Sequence, residues 1–479
     1  MPRDRKYREW QNRSNIYRKS RRKRSNLTFW LWLIMGGLSI FVIIKNNPQP
    51  IKGLFNVFNF NISSIQSITD PFITDIDEKI IPGPSENINE NQFSALDKQA
   101  KSLKYYGNSV RELANLLSQH ANTDLEKARL IYTWITHNIA YDSAALFALK
   151  SGVYPDVRVE NVLNRRKTIC SGYANLYQKI ADAMGLKSVI VLGYARGLDY
   201  IVGENQQINH AWNAVKIDEK WYLIDTTWGA GKVTNNTFNQ EFNPLYFATP
   251  PDELIYSHFP QQDKWQLLGQ PYTRQQFNLL PEVSGALFSN NLELISHKTK
   301  TIYTNNNLNI TLKAPQDVVA IANLKSENSE LKDNYTLVQN KDGYITVKTT
   351  FPAKGNYTLD IFAKKRDNSN YYPHVVTYQI RANNSSEQFP FTYSDFLKNN
   401  GYLETPLTKS LNPNQFTYFK LRVDNATEVK VIDKSSNNST DLIKYGNLFA
   451  GNVRIGSGKV IVFAKFPEDS RYWALLEYN

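Results

Sequence analysis

The stretch Ile169-Cys-Ser-Gly-Tyr-Ala-Asn-Leu-Tyr-Gln-Lys-Ile-Ala-Asp-Ala-Met184 decides the fold. Tyr173, Tyr177, Ile180 and Met184 recur at helical spacing, and Gly185 is a good stop. The spacing predicts a helix that opens near Cys170, the chain's one cysteine. That position matters chemically, because the unpaired amides and dipole of a first helical turn favour a thiolate. Outward from it, Ser188–Tyr194 is β-branched and apolar and reads as a strand, while Ala211–Ile217 and Trp221–Asp225 read as a hairpin. His210 begins the first hairpin strand and Asp225 ends the second. A cysteine-bearing helix packed on an antiparallel sheet is an α+β core.

The hairpin register carries a chemical condition. With the turn at Asp218-Glu219, Ile217 faces Lys220 and His210 lies opposite Thr227. Asp225 is then diagonal to His210, within reach of a side-chain hydrogen bond. A one-residue slip would turn Asp225 to the other face. Glu219 stands where so tight a turn prefers glycine. A nucleophilic thiolate needs a group that holds and delivers protons and a third that orients it, and Cys170, His210 and Asp225 supply that set. Singly, each has a structural reading: a small buried apolar residue, a strand-start histidine, a strand-end aspartate. The Cys170 backbone amide is a natural oxyanion donor, and no glutamine lies just upstream to supply a second. Ser171 and Gly172 are small and would let a substrate approach.

Three segments, Thr168-Ile-Cys-Ser-Gly-Tyr-Ala-Asn-Leu176, Asn209-His-Ala-Trp-Asn-Ala-Val215 and Trp221-Tyr-Leu-Ile-Asp-Thr-Thr-Trp228, resemble the transglutaminase-like superfamily, and within it the kyphoscoliosis-peptidase group. The stretch from Asn243 to Leu268 resembles the extension that follows the core in that group, and in all the resemblance covers roughly residues 97–479. It implies a papain-like core with a Cys170, His210, Asp225 triad acting on amide or peptide bonds of a protein or peptide substrate. It also implies immunoglobulin-like modules after the core. Some relatives of this group have lost the triad and act as scaffolds. Hydrolysis of the peptidase type is the first expectation. Cross-linking by transamidation, or a non-catalytic scaffold of the cell envelope or division site, are the alternatives. His258 and Trp265, in the extension, are read as packing residues.

The C-terminal part changes character. Short alternating runs separated by Asn, Gly and Pro predict two all-β sandwiches. Phe362-Ala-Lys364 recurs as Phe463-Ala-Lys465, Tyr372 falls on Trp473 and Gly355 on Gly456, all at an offset of 101 residues. A duplicated module of that length suits an immunoglobulin-like sandwich.

The N-terminal part is different again. Of a net charge of +12, residues 1–26 supply nine, with eleven Lys/Arg against two acids. Confined to a tail, this excess argues against nucleic-acid binding. Leu27–Ile44 then runs 18 residues without a charge, about 27 Å as a helix. With the basic flank before it, this predicts a single-pass membrane anchor, N-terminus cytoplasmic and the rest extracytoplasmic. The expected organisation is a basic tail at 1–26, a transmembrane anchor at 27–45, a linker at 46–95, a catalytic domain with its extension at 96–289, and immunoglobulin-like modules at 290–383 and 384–479. The modules would present or space ligands, with envelope or cell-surface proteins as partners. One cysteine excludes an intrachain disulfide and a Cys-based zinc site, and six scattered histidines give no visible metal cluster. No cofactor and no metal are expected.

Overall fold

The structure is a computed structural model. It describes residues 79–479 except 85–87, 198–206, 327–328, 332–333, 367–370 and 468. The expected membrane span and basic tail lie outside the described residues. Among the described residues, no helix is long and apolar enough to cross a membrane.

The first domain is helical on one side and sheet on the other. Helices α1 (Ser94–Ser102), α2 (Val110–Ser118) and α3 (Asp124–Asn138) come first. The third opens with the expected capping box, in which the Thr123 hydroxyl accepts from the Glu126 amide and the Glu126 carboxylate from the Thr123 amide. Then follow α4 (Ser143–Lys150), α5 (Val159–Arg165) and the cysteine helix α6 (Cys170–Ala183). The sheet runs in the order Lys220–Ile224 (β3), His210–Ile217 (β2), Ser188–Ala195 (β1), His258–Pro260 (β4), antiparallel throughout. Its alternation sorts two cores. Ile190, Leu192 and Ala211 pack with Cys170 and Ala174 of α6. Val189, Val191, Trp212 and Ala214 pack with Trp221, Leu223 and Trp265 on the opposite face. Polar side chains pin α6 to the sheet: Asn213 donates to the Ala174 carbonyl at 3.0 Å and Gln178 to the Ser188 carbonyl at 3.1 Å.

Part of the expected tether is folded. The Trp221 amide donates to the Ile81 carbonyl at 2.7 Å, and the Gly83 amide to the Trp221 carbonyl at 2.8 Å. Residues 81–83 thereby cover an edge of β3 that would otherwise leave backbone groups unpaired. Phe93 already belongs to the core.

Two β-sandwiches follow, one of a six-stranded sheet on a four-stranded one, the second of five strands on four. The first begins earlier than residue 290. Glu282–Val283 (β5) pairs with His374–Ala382 (β7), and Leu287 is in its core. It is also not purely antiparallel, since Thr301–Thr304 runs parallel to β7. The chain enters through the six-stranded sheet at Glu282–Val283, crosses to the four-stranded sheet at Glu293–Leu294 and returns to the first at Thr301–Thr304. The duplication is visible in the backbone. Gly355–Lys365 (β6) and Val460–Lys465 (β8) each carry a register irregularity, between Ile361 and Phe362 in one and Val462 and Phe463 in the other, 101 residues on. Val376 faces Ile361 and Leu476 faces Val462, so the partner strands are related by 100 residues. The two sandwiches touch: Leu337 of the first sits in the core of the second, and Gln339 donates to the Leu403 carbonyl at 3.0 Å.

Candidate active site

Cys170 is the first residue of α6. Its N-cap, Ile169, has no side-chain acceptor, and the Ile169 carbonyl takes the Gly172 and Tyr173 amides at 2.9 and 3.1 Å. The Cys170 amide, at the first helical position, has no acceptor within the helix. Its thiol lies in hydrogen-bonding contact with His210.

The hairpin has the expected register, with Ile217 opposite Lys220 and Asn213 opposite Ile224. Asp218 and Glu219 both take positive φ, 46° and 64°, so the two-residue turn forms without glycine. Pairing ends at Ile224, however, and Thr227 is not a strand residue opposite His210. Asp225 instead caps the short helix α7 (Thr226–Ala230), its Oδ1 accepting from the Thr227 and Trp228 amides at 2.8 and 3.1 Å. The cap leaves Oδ2 free to meet His210, whose Nε2 lies 2.7 Å away. With Nε2 committed to Asp225, Nδ1 is the nitrogen left for the thiol. The structure thus gathers Cys170, His210 and Asp225.

A fourth residue joins them. The Nε2 atom of His258, on β4, lies 3.0 Å from the same Oδ2 of Asp225. His258 does pack, as the sequence suggests, and is 1% exposed, but it is also a polar member of the site. Trp265 packs edge-on against Trp221 at 5.1 Å. Trp228 covers the two imidazoles, with ring centroids 5.9 Å from His210 and 4.6 Å from His258. Trp212 stands beside both, at 6.0 and 5.1 Å.

The charges settle in one arrangement. Burial works against the His210 imidazolium, but the charge and hydrogen bond of Asp225, with a contribution from Cys170, hold it up at about 10. Burial would raise Asp225, yet His210 and His258 hold its carboxyl well below the usual carboxylate range. His258 is pushed down by burial, and the His210 charge adds to that against the pull of Asp225. His258 is therefore neutral beside an ionised Asp225 and a protonated His210.

The ligand-type atoms of His210, Asp225 and His258 lie within 4.8 Å of one another, a grouping that scattered histidines conceal in the sequence. Both Nε2 atoms point at one oxygen, so hydrogen bonds account for the cluster without an ion.

Residues 111–226 match the transglutaminase-like superfamily. Residues 274–393 match the KY-like, immunoglobulin-like domain. The chain carries a transglutaminase-like domain. Human kyphoscoliosis peptidase is 32% identical over 306 residues, covering 62% of this chain and 44% of that protein. Cytokinesis protein 3 of Schizosaccharomyces pombe is 27% identical over 244 residues, covering 49% and 27%. A solved crystal structure of a TGase aligns at 21% identity with a TM-score of 0.20, covering 29% of this chain and 34% of that one. The chain spans less than half the length of the curated relatives it matches. It is homologous to kyphoscoliosis peptidase and joins a transglutaminase-like domain to an immunoglobulin-like KY domain.

Within the transglutaminase-like domain, Ser171 and Gly172 do not line an approach to the thiol. Ser171 is fully buried. A Cβ on Gly172 would run into Thr168 Oγ1, so the glycine serves close packing of α6 against the short strand Lys167–Thr168 that precedes it. His258 falls between the two matched ranges. The signal available in the sequence is a histidine beside an aromatic residue, in the segment that resembles the extension following the core.

Proposed function

We propose that the chain is a thiol hydrolase of the peptidase type, acting on amide or peptide bonds of proteins or envelope peptides. The observation that carries this reading is the His210 imidazole held between the Cys170 thiol and the Asp225 carboxylate. Cys170 Sγ attacks the substrate carbonyl carbon, and the Cys170 amide faces the developing oxyanion. His210 gives its proton to the leaving amine as the C–N bond breaks, leaving a thioester. Water then attacks the thioester, His210 takes its proton, and the carboxylic acid leaves as the thiol is restored. An amine in place of water would give transamidation. Asp225 keeps the imidazole in the productive tautomer.

The apolar run Leu27–Ile44 behind a basic tail supports a membrane-anchored enzyme with residues 46–479 outside the cytoplasm. The two sandwiches would then hold or space the enzyme among envelope or cell-surface proteins.

As the chain's single cysteine, Cys170 makes thiol labelling a direct test. Iodoacetamide labels the native full chain rapidly at mildly acidic pH, and His210→Ala slows that labelling. Slow labelling that rises only with denaturant, alike in both, would leave the non-catalytic scaffold as the reading. A primary-amine fluorophore incorporated into protein would move the assignment from hydrolysis to transfer.

A further inference from the structure

We propose that His258 is a positioning residue of this site: it donates its Nε2–H to the Asp225 oxygen that faces His210, and so fixes the carboxylate that orients the reacting imidazole. The proposal rests on the thiol-enzyme reading and extends it by a residue that lies outside both family matches.

The Asp225 carboxylate accepts four hydrogen bonds. Its Oδ1 is held by the Thr227 and Trp228 amides, and its Oδ2 by His210 at 2.7 Å and His258 at 3.0 Å. His210 must turn or loosen as it passes its proton to a leaving group. During that movement the helix amides hold only one oxygen, and His258 is the donor that holds the second. The fold fixes where His258 can stand. Its strand lies beside β1, with Ala195 opposite His258 and Gly193 opposite His210 on the other side. A Cβ on Gly193 would collide with the Phe259 carbonyl oxygen and the Trp212 ring, so the absent side chain lets the edge strand and that ring close in. Ser257 completes the bond pattern. Its hydroxyl oxygen lies 2.8 Å from His258 Nδ1 and 3.2 Å from the Leu254 carbonyl oxygen, and because the ionised Asp225 carboxylate can only accept, the nitrogen that faces it, Nε2, is the one that carries a proton.

Sharing one oxygen has a second consequence. Each N–H that binds Oδ2 draws on the same charge, so His258 reduces the grip of Asp225 on the His210 proton. The groups facing this cluster are few. Asp225 stands at the start of α7, His210 on β2 and Cys170 on α6, while Tyr132 on α3, Tyr173 on α6 and Tyr246 interact with Asp225 from around it. Burial pushes all three phenols up, so they stay protonated while the imidazoles titrate.

The test uses Cys170 in the full chain. Iodoacetate is an anion, and its attack is favoured by the neighbouring imidazolium, so labelling falls at alkaline pH as His210 loses its proton. His258→Phe keeps bulk and removes the donor. It is expected to slow labelling about tenfold below that fall and to move the fall up by roughly half a pH unit. His258→Gln restores a donor and should recover most of the rate. A residue that only packed would change stability and leave the pH of the fall in place. A fall that stays or moves down in His258→Phe, with the chain folded, overturns the proposal while the His210 dependence of the wild type keeps the enzyme reading. Wild-type labelling that ignores His210 overturns both. Histidine-selective ¹⁵N labelling of the wild type adds an arm free of folding defects. It should show His258 neutral with its proton on Nε2 above pH 6.5, the ordinary imidazole value from which burial lowers it, and an imidazolium or an Nδ1–H tautomer there overturns the proposal.

Discussion

Arg129 and Asp97 form a two-pronged ion pair inside the helical layer, with Nε 2.9 Å from Oδ1 and Nη2 2.9 Å from Oδ2. Arg129 is 1% exposed, and Glu90 and Thr133 complete the cluster at 2.6 Å each, Glu90 on Arg129 and Thr133 on Asp97. Three residues along the same helix, the Tyr132 hydroxyl donates to the Asn243 carbonyl and lies where a Cβ on Gly229 would be. The pair therefore braces the helix that backs α7, the element whose first turn holds Asp225. Removing Asp97 takes two hydrogen bonds from the buried guanidinium and leaves it with Glu90 as its remaining carboxylate. Asp97→Ala is expected to destabilise the chain by about 1.5–3 kcal/mol, read by urea unfolding of the full chain, and an effect within experimental error would refute the bracing role.

His210 makes stability depend on pH in a defined window. Its folded value is raised to about 10 from 6.5. The contribution is complete below 6.5 and is lost as pH rises through about 10. Thermal unfolding of the wild type should show its melting temperature falling across that window, and His210→Ala should lose that part of the slope. Parallel slopes in the two proteins would mean that the imidazolium is not held by Asp225.

Asp225 has two jobs with separable signatures. Asp225→Ala leaves the imidazole near Cys170, so labelling slows less than in His210→Ala. It also removes the N-cap of α7, a loss of about 1 kcal/mol. Asp225→Asn can keep the cap through its carbonyl oxygen while its amide faces two N–H donors. It should therefore fold better than the alanine variant and label no faster. Equal stability of the two variants would contradict the cap.

The cysteine helix, the hairpin and its register are legible in the sequence, because each rests on a local period: apolar side chains every three to four residues, or alternation around a polar turn. The end of the second strand is not. Asp225-Thr-Thr reads equally as strand end or helix cap, and only the sheet's actual extent decides between them. His258 is out of reach for a different reason. It lies 33 residues from Asp225, and the contact depends on β4 pairing with β1 across a long excursion. Ser171 and Gly172 mislead because smallness alone does not distinguish room for a substrate from room for a neighbouring strand. The docking of residues 81–83 on Trp221 is invisible in a segment whose Asn, Pro and Ser content reads as linker.

Gly193 sets the spacing between the two edges of the site. Backbone cannot yield as a flexible side chain can, and the Phe259 carbonyl oxygen stands in the way of any Cβ at this position. Gly193→Ala is expected to cost about 1–3 kcal/mol and to slow Cys170 labelling beyond what the lost stability explains. A fully stable variant with unchanged labelling would show that β4 can shift without disturbing His258.

The anchor is testable apart from the chemistry. Residues 1–26 are strongly basic, Leu27–Ile44 has no charge, and Trp30 and Trp32 stand near the end that follows the basic tail, a placement that suits indoles at a headgroup layer. If this run spans the bilayer with the basic side inside, residues 46–479 face away from the cytoplasm. Protease added to intact cells or spheroplasts should then digest the bulk of the chain and leave a short membrane-protected N-terminal fragment. Deleting Leu27–Ile44 should move the protein from the membrane pellet to the supernatant. A chain that resists protease until the membrane is lysed has the opposite orientation or lies inside, and Cys170 would then meet cytoplasmic rather than envelope substrates. A chain that stays in the pellet without Leu27–Ile44 is held by something else, with the sandwiches the next elements to delete.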